Sequence, residues 1–156
     1  MWTFEQGPIR PPSEAGSLLV RINRNCPWNK CAFCSVYRNK KFSLRSVEEV
    51  EADLDAMLDC YGQDVRRVFL QDANALITPP DKLKAMLIAI RSRFPRVERI
   101  TTYARSHTLA RRKLEDLIRL REAGLDRIHI GFEPGCDNVL TLVNKGTTAE
   151  EQIAGG

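Results

Sequence analysis

Strand-like and helix-like segments alternate four times along the chain, and this alternation restricts the possible fold more than any other feature. The strand-like segments are short and rich in apolar residues, whereas the helix-like segments carry apolar residues three and four positions apart. Strands that alternate with helices form parallel sheets joined by right-handed crossovers. The predicted fold class is therefore α/β, with about four βα units and parallel strands.

Local patterns give the expected bounds of these elements. The predicted strands are Leu18–Asn23, Val65–Leu70, Val97–Tyr103 and Arg127–Gly131. The predicted helices begin at a Ser46 capping box, at Pro79-Pro80-Asp81, near Ala110, at Asp137 and at a Thr148 capping box. Prolines and glycines interrupt residues 1–17, which are predicted as an extended lead-in. The domain proper is thus expected to span residues 18–156.

Three of the five cysteines, Cys26, Cys31 and Cys34, lie within nine residues at C-x4-C-x2-C spacing, directly after the first predicted strand. Three thiolates this close can converge on one metal centre, and soft sulfur selects an iron–sulfur cluster or zinc over hard cations. A disulfide framework is not expected, because three cysteines are an odd number and cannot all pair with one another. A structural zinc site needs four ligands, whereas an iron–sulfur cluster held by three cysteines keeps one iron open.

Polar side chains follow each of the four predicted strands. The cysteine loop follows the first strand, Asp72 the second, Arg105 the third and Glu133 the fourth. In parallel α/β folds, the reactive groups lie at the carboxyl ends of the strands. These residues are therefore expected to build a single site.

The composition is that of one globular domain. The chain has 156 residues, of which 43% are hydrophobic and 28% charged, and no apolar run approaches membrane-spanning length. The expected compartment is the cytoplasm, where thiols stay reduced, with no membrane partner. The net charge of +4 is spread over many arginines and leaves nucleic acid open as a partner.

Together these features resemble the radical S-adenosylmethionine (radical SAM) superfamily over residues 18–156, in particular its MiaB-like and coproporphyrinogen-oxidase-like branch with the oxidoreductase-like core. The resemblance implies a partial (β/α) barrel that binds a 4Fe–4S cluster and S-adenosylmethionine. In that family, reductive cleavage of S-adenosylmethionine gives a 5′-deoxyadenosyl radical, which takes a hydrogen atom from the substrate. The resemblance also implies an electron donor such as a flavodoxin or ferredoxin. It leaves the substrate and the catalytic residues unknown.

The resemblance assigns the cluster ligands directly. Cys26, Cys31 and Cys34 would hold the cluster, and Phe33 would lie beside the adenine of the cofactor. The commonest spacing in the family is C-x3-C-x2-C, so this loop is one residue longer.

The resemblance also implies five cofactor-binding residues outside the cysteine loop. Asp72 would accept a hydrogen bond from the cofactor's ammonium, although the glycines usual beside that position are missing here. Tyr103 and Arg105 would approach the ribose or the carboxylate. Glu133 would accept hydrogen bonds from the ribose hydroxyls, and Lys145 would face the cofactor carboxylate.

Two other kinds of protein fit part of the pattern. With Cys60 as a fourth ligand, the spacing is that of a plant-type ferredoxin, an electron carrier. With Cys136, His107 or His129 as a fourth ligand, the loop would be a zinc-binding structural module. Cys60 closes an amphipathic helix and His129 alternates with isoleucines, so both are expected to be structural residues.

Cores of the resembled family usually contain six βα units, but only four strands are predicted here. The chain is therefore expected to be an N-terminal piece of a longer protein, with a core incomplete at its carboxyl end. The fourth strand, Arg127–Gly131, would then be an edge strand with unpaired backbone groups. The piece alone is expected to be poorly soluble.

Overall fold

The structure, a computed structural model, describes residues 3–156, so residues 1–2 of the predicted lead-in lie outside the described residues. Six strands form within them, namely β1 (Leu18–Arg21), β2 (Asn23–Arg24), β3 (Ser43–Leu44), β4 (Arg67–Gln71), β5 (Arg99–Arg105) and β6 (Arg127–Gly131). Strands β1, β4, β5 and β6 pair in that order as a parallel sheet, whereas β2 and β3 form a separate antiparallel pair. The α/β fold class with parallel strands is confirmed.

Six α-helices connect or follow these strands in the described part of the chain. They are α1 (Val47–Tyr61), α2 (Pro80–Arg93), α3 (Ser106–Ala110), α4 (Leu114–Glu122), α5 (Asp137–Leu142) and α6 (Ala149–Gly155). Helix α2 packs against both α1 and α4, and α3 packs against α6. None of the helices in residues 3–156 is long and apolar enough to cross a membrane.

The main core lies between the sheet and the layer formed by α1, α2 and α4. Val20, Leu70 and Ile100 are fully or almost fully buried there from three neighbouring strands, and they pack with Leu54 of α1 and Leu87 of α2. Full burial of each such side chain contributes about 1.5–3 kcal/mol. Because side chains alternate across a strand, the intervening residues point to the other face of the sheet.

The lead-in covers part of that other face. The Gln71 side chain accepts a hydrogen bond from Gly7 N at 2.8 Å and donates to the carbonyls of Gly7 and Ile9 at 3.3 and 2.6 Å. Farther along, the carboxylate of Glu14 is completely buried, with Oε1 3.8 Å from His129 Nε2 of β6. The segment therefore packs along the sheet from the carboxyl end of β4 towards the amino ends of the strands.

Several sequence-based bounds hold and others are wrong. The fourth strand has the predicted bounds, and both predicted capping boxes form at Ser46 and Thr148. The helix expected from near Ala110 is wrong at its start, because α3 and α4 are two helices separated by residues 111–113. The sequence interpretation also missed the β2–β3 pair.

Candidate functional site

The cysteine loop connects β2 to β3, and the side chains of two asparagines stabilise its backbone. Asn25 and Asn29 have positive φ angles of 68° and 51°, a region that asparagine tolerates better than most residues. Asn25 Nδ2 donates to the Lys41 carbonyl at 2.6 Å. Asn29 Nδ2 donates to the Tyr37 carbonyl and, at 3.3 Å, to that of Lys40. These bonds fasten the incoming half of the loop to its outgoing half.

The three thiols of the loop are free, half-buried and close enough to influence one another. Burial raises the pKa of the Cys31 thiol, and the positive charges of Lys145 and Arg105 oppose that rise. The neighbouring thiols of Cys26 and Cys34 add to it. The two cations favour the thiolate, which is the form that binds a metal.

These thiols do not form a finished metal site. Across residues 3–156, no three His, Cys, Asp or Glu side chains are grouped so that they could hold a metal ion. The donor set fits an iron–sulfur cluster, because three soft thiolates lie on one loop beside two cations that offset their charge.

Cys60 lies far from this loop, in the last turn of α1. A crossover helix runs back antiparallel to the strands, so its carboxyl end lies beside their amino ends. The next residue, Tyr61, lines a cleft with Leu18 and Arg67, the first residues of β1 and β4. This position argues against Cys60 as a fourth cluster ligand.

The residues considered for a zinc tetrahedron are also dispersed. His107 Nδ1 lies 3.1 Å from Glu151 Oε2 and 2.8 Å from a guanidinium nitrogen of Arg111, a cation that disfavours a metal there. His129 lies in β6 against the buried lead-in, and Cys136 is exposed before α5. The described residues thus offer no convincing fourth zinc ligand.

A continuous strip begins in the cysteine loop and runs outward from it. It consists of Phe33 of the loop, Lys145 and Glu133. The Phe33 side chain is 58% exposed, and Lys145 Nζ lies 5.4 Å from the centroid of its ring. The same ammonium donates to Glu133 Oε1 at 2.8 Å. Glu133 is held in turn by its backbone N–H, which donates to Gln152 Oε1 at 2.6 Å. The strip offers an exposed aromatic face next to one cation and one carboxylate.

Arg105, the last residue of β5, lies behind the cysteine loop. Burial lowers the pKa of its guanidinium, against the opposing influence of the Cys26 and Cys31 thiols. Nη2 donates to the carbonyls of Lys145 and Gly146 at 2.8 and 3.2 Å. The guanidinium carbon lies 5.3 Å from the centroid of the Trp28 ring. Arg105 therefore joins the cysteine loop to the segment after α5.

Asp72 is buried, in contrast to the exposed Phe33 of that strip. Its Oδ2 accepts hydrogen bonds from Arg21 Nε and Nη2 and from the Asn25 backbone N–H. Its Oδ1 is buried without a hydrogen-bond partner among the described residues. A side chain at Gly7 would collide with this carboxylate, so the lead-in lies directly against it.

Tyr103 lies on the sheet face that the lead-in covers. Its ring centroid is 5.1 Å from that of Phe69, in an edge-to-face arrangement, and 6.1 Å from that of His129. Burial raises the pKa of its hydroxyl. Tyr103 thus lies two residues below Arg105 on the same face of β5.

Sequence reasoning missed two residues that organise the site. Arg21, the partner of Asp72, is the one charge in the apolar run of residues 18–22, and a charge in such a run can indicate a buried ion pair. Trp28 lies between two of the cysteines and contacts the segment after α5. No local sequence pattern predicts the contact between Trp28 and that segment.

A parallel α/β sheet with a three-cysteine loop and charged side chains at its carboxyl edge defines a partial-barrel protein suited to binding a metal cluster. The chain matches the family model described as "Radical SAM superfamily" over residues 20–155. It therefore belongs to the radical SAM superfamily, a family that implies binding of a 4Fe–4S cluster and S-adenosylmethionine. No curated protein matches the chain.

Three solved structures of the cobalamin-dependent S-adenosylmethionine radical enzyme OxsB are similar to this fold. The form with aqua-cobalamin and S-adenosylmethionine bound is 24% identical, with a TM-score of 0.63, and the match covers 88% of this chain. The form with aqua-cobalamin alone and the apo form are also 24% identical, with TM-scores of 0.61 and coverage of 87% and 88%. Each match covers 21% of the OxsB chain. The likeness supports the partial barrel.

Proposed function

We propose that this chain is the core of a radical SAM enzyme in which Cys26, Cys31 and Cys34 hold a 4Fe–4S cluster. One observation carries the proposal. In a chain of this family, Cys31 lies close enough to the other two thiols of the loop, and to Lys145 and Arg105, to interact electrostatically with all of them. When bound, the cluster supplies the electron for reductive cleavage of S-adenosylmethionine, and the resulting 5′-deoxyadenosyl radical abstracts hydrogen from a substrate.

The exposed strip suits the cofactor beside that cluster. Phe33 presents an aromatic face on which an adenine can stack, because the ring is more than half exposed. Lys145 can pair with the cofactor carboxylate, and Glu133 can accept hydrogen bonds from the ribose hydroxyls. Their present mutual ion pair keeps both side chains oriented.

The remaining cofactor contacts are proposed for residues deeper in the site. Arg105 brings a positive charge to the end of β5, and Tyr103 brings a hydroxyl to the same face. Asp72 would reach the cofactor's ammonium only if its enclosure opens, since its side chain is completely buried. Until then it supports the base of the cysteine loop through Asn25.

The proposal extends to the partners that this chemistry needs. A flavodoxin or ferredoxin would supply the electron in the cytoplasm, and we place the chain in the MiaB-like and coproporphyrinogen-oxidase-like branch. The substrate is open, and the net charge of +4 is compatible with a nucleic acid.

Anaerobic reconstitution with iron and sulfide tests the proposal. The chain should bind about four irons and four sulfides, and the reduced cluster should change its electron paramagnetic resonance spectrum when S-adenosylmethionine is added. Formation of 5′-deoxyadenosine after reduction would show the cleavage. A two-iron cluster whose spectrum does not change with S-adenosylmethionine would favour the ferredoxin alternative. A colourless protein that contains zinc would favour the structural module.

A further inference from the structure

The segment after α5 holds the cysteine loop by two hydrogen bonds that span most of the chain. Trp28 Nε1 donates to the Asn144 carbonyl at 2.7 Å, across 116 residues of sequence. Ala32 N donates to the Val143 carbonyl at 2.8 Å. These bonds fall on either side of Cys31. The first holds the Trp28 side chain before the middle thiol, and the second holds the backbone of Ala32 directly after it.

Gly146 makes room for this contact. Its φ is +68°, in the left-handed region that glycine adopts without strain, and a Cβ there would collide with the Trp28 ring. Asn144, two residues earlier, also has a positive φ of 52°. The backbone after α5 is therefore shaped to receive the indole.

Arg105 closes the arrangement from the sheet side. Its guanidinium lies over the Trp28 ring and donates to the Lys145 and Gly146 carbonyls. Arg105 therefore joins both the indole and the segment after α5 to β5. The loop itself contributes little regular structure, since the bond from Cys34 N to the Cys31 carbonyl, at 3.3 Å, is a turn contact. Ordering such a loop costs backbone conformational entropy at every residue. External contacts must offset that cost.

We propose that Trp28, Asn144 and Gly146 form a loop clasp that positions Cys31, and with it the other two thiols, for metal binding. These are positioning residues, because they act through the loop backbone. The inference rests on the proposed function for its purpose, but the clasp itself can be measured on the metal-free chain. Because Lys145 lies inside the same segment, the clasp also keeps that cation near Cys31.

Two variants weaken the clasp in different ways, and one leaves it intact. Trp28→Phe keeps an aromatic ring but removes the N–H donor. Gly146→Ala forces a side chain into the indole and a left-handed angle on alanine. Gly135→Ala is the matched control, because a Cβ there meets nothing within 4 Å and its φ is not positive.

The first measurement is alkylation of the metal-free chain, followed residue by residue by mass spectrometry. Loss of one hydrogen bond should raise the alkylation rate of Cys31 relative to Cys60 roughly two- to tenfold in Trp28→Phe. Strain and overlap should raise it roughly tenfold or more in Gly146→Ala. Gly135→Ala should match the wild type. A general loss of stability would also raise the alkylation of half-buried Cys31 but would hardly change that of Cys60, which is already exposed. Urea unfolding of the same variants is therefore measured in parallel, and a rise in the ratio without a matching loss of stability shows positioning.

The second measurement is the rate at which a chelator removes iron from the reconstituted chain, which should rise in the same order. Relative to the wild type, the double variant should accelerate iron loss by less than the product of the two single effects, since both changes break one contact. Alkylation ratios and iron-loss rates equal to the wild type in Trp28→Phe would overturn the clasp, even if Gly146→Ala failed to fold. Failure of the wild type to take up iron would instead overturn the proposed function, and the alkylation ratio would still decide the clasp.

Discussion

The Arg21 guanidinium donates two hydrogen bonds to one oxygen of Asp72, from Nε at 3.0 Å and from Nη2 at 2.7 Å. The Asp72 side chain is completely buried, whereas that of Arg21 remains 15% exposed. The same carboxylate oxygen accepts the Asn25 backbone N–H at 2.7 Å, immediately before the first cysteine of the loop. The pair therefore links the ends of β1 and β4 to the start of the cysteine loop.

Asp72→Ala should lower the free energy of unfolding markedly, because it removes the carboxylate that compensates a largely buried guanidinium. Removing one partner of a buried ion pair costs about 3–5 kcal/mol, and we expect the lower end because Arg21 keeps some contact with water. Urea denaturation followed by circular dichroism measures the change. Asp64→Ala, which removes an exposed carboxylate beside Arg66 and Arg96, should leave the curve unchanged. Equal curves for both variants would show that the buried pair contributes nothing special.

Replacing any one of Cys26, Cys31 or Cys34 by alanine should abolish cluster binding, because two thiolates cannot hold the cluster firmly. Iron and acid-labile sulfide after anaerobic reconstitution are the measurement. Cys60→Ala and Cys136→Ala are matched controls, since both thiols are exposed and lie outside the loop. Cluster loss in Cys60→Ala with the fold intact would contradict the three-ligand assignment.

Glu133→Ala should leave the iron content unchanged but weaken S-adenosylmethionine binding. A hydrogen bond to a charged group contributes about 1.5–3 kcal/mol, which corresponds to roughly a tenfold to hundredfold loss of affinity. Calorimetric titration of the reconstituted chain gives the dissociation constant. Glu122→Ala, at the exposed end of α4, controls for the loss of one negative charge. An unchanged dissociation constant in Glu133→Ala would remove this residue from the cofactor site.

Local sequence patterns predicted the parts of this molecule that local physics determines. The Ser46 and Thr148 capping boxes form because each needs only a hydroxyl and a glutamate three residues later. Helix α3 was missed because its N-cap, Arg105, makes no side-chain capping bond and the helix is only five residues long.

Contacts between distant residues are what the sequence did not reveal. Arg21 and Asp72 are 51 residues apart, and Trp28 and Asn144 are 116 apart. Neither contact leaves a periodic pattern, because each depends on how the sheet brings strand ends together. The position of Asp72 at a strand end was predictable, but its enclosure by the lead-in and by Arg21 was not.

Leu70→Ala should destabilise the chain through a cavity at the centre of the main core. Leu70 is completely buried in β4 and belongs to the core between the sheet and helices α1 and α2. Such truncations cost about 2–5 kcal/mol. Leu142→Ala removes the same atoms from a residue that is 80% exposed, so it should change stability by less than about 0.5 kcal/mol. Thermal unfolding of the two variants in parallel gives the difference, and equal midpoints would show that the core lies elsewhere.

Glu151→Gln should reduce stability at neutral pH, and the deficit should shrink as the pH falls. Partial burial alone would raise the pKa of Glu151, but hydrogen bonds from His107, Arg111, the Thr148 backbone and Thr147 together lower it from 4.5 to about 2. A carboxylate with a depressed pKa in the folded state stabilises the fold above its unfolded-state pKa, and this contribution is lost as the pH falls towards the folded-state value. The wild type should therefore exceed the variant at neutral pH, and the gap should close between about pH 4.5 and about pH 2. Urea midpoints across that range measure the gap, with Glu150→Gln as the control that removes the adjacent exposed carboxylate. A gap that stays constant down to about pH 2 would mean that the carboxylate of Glu151 has no special role in joining α6 to α3.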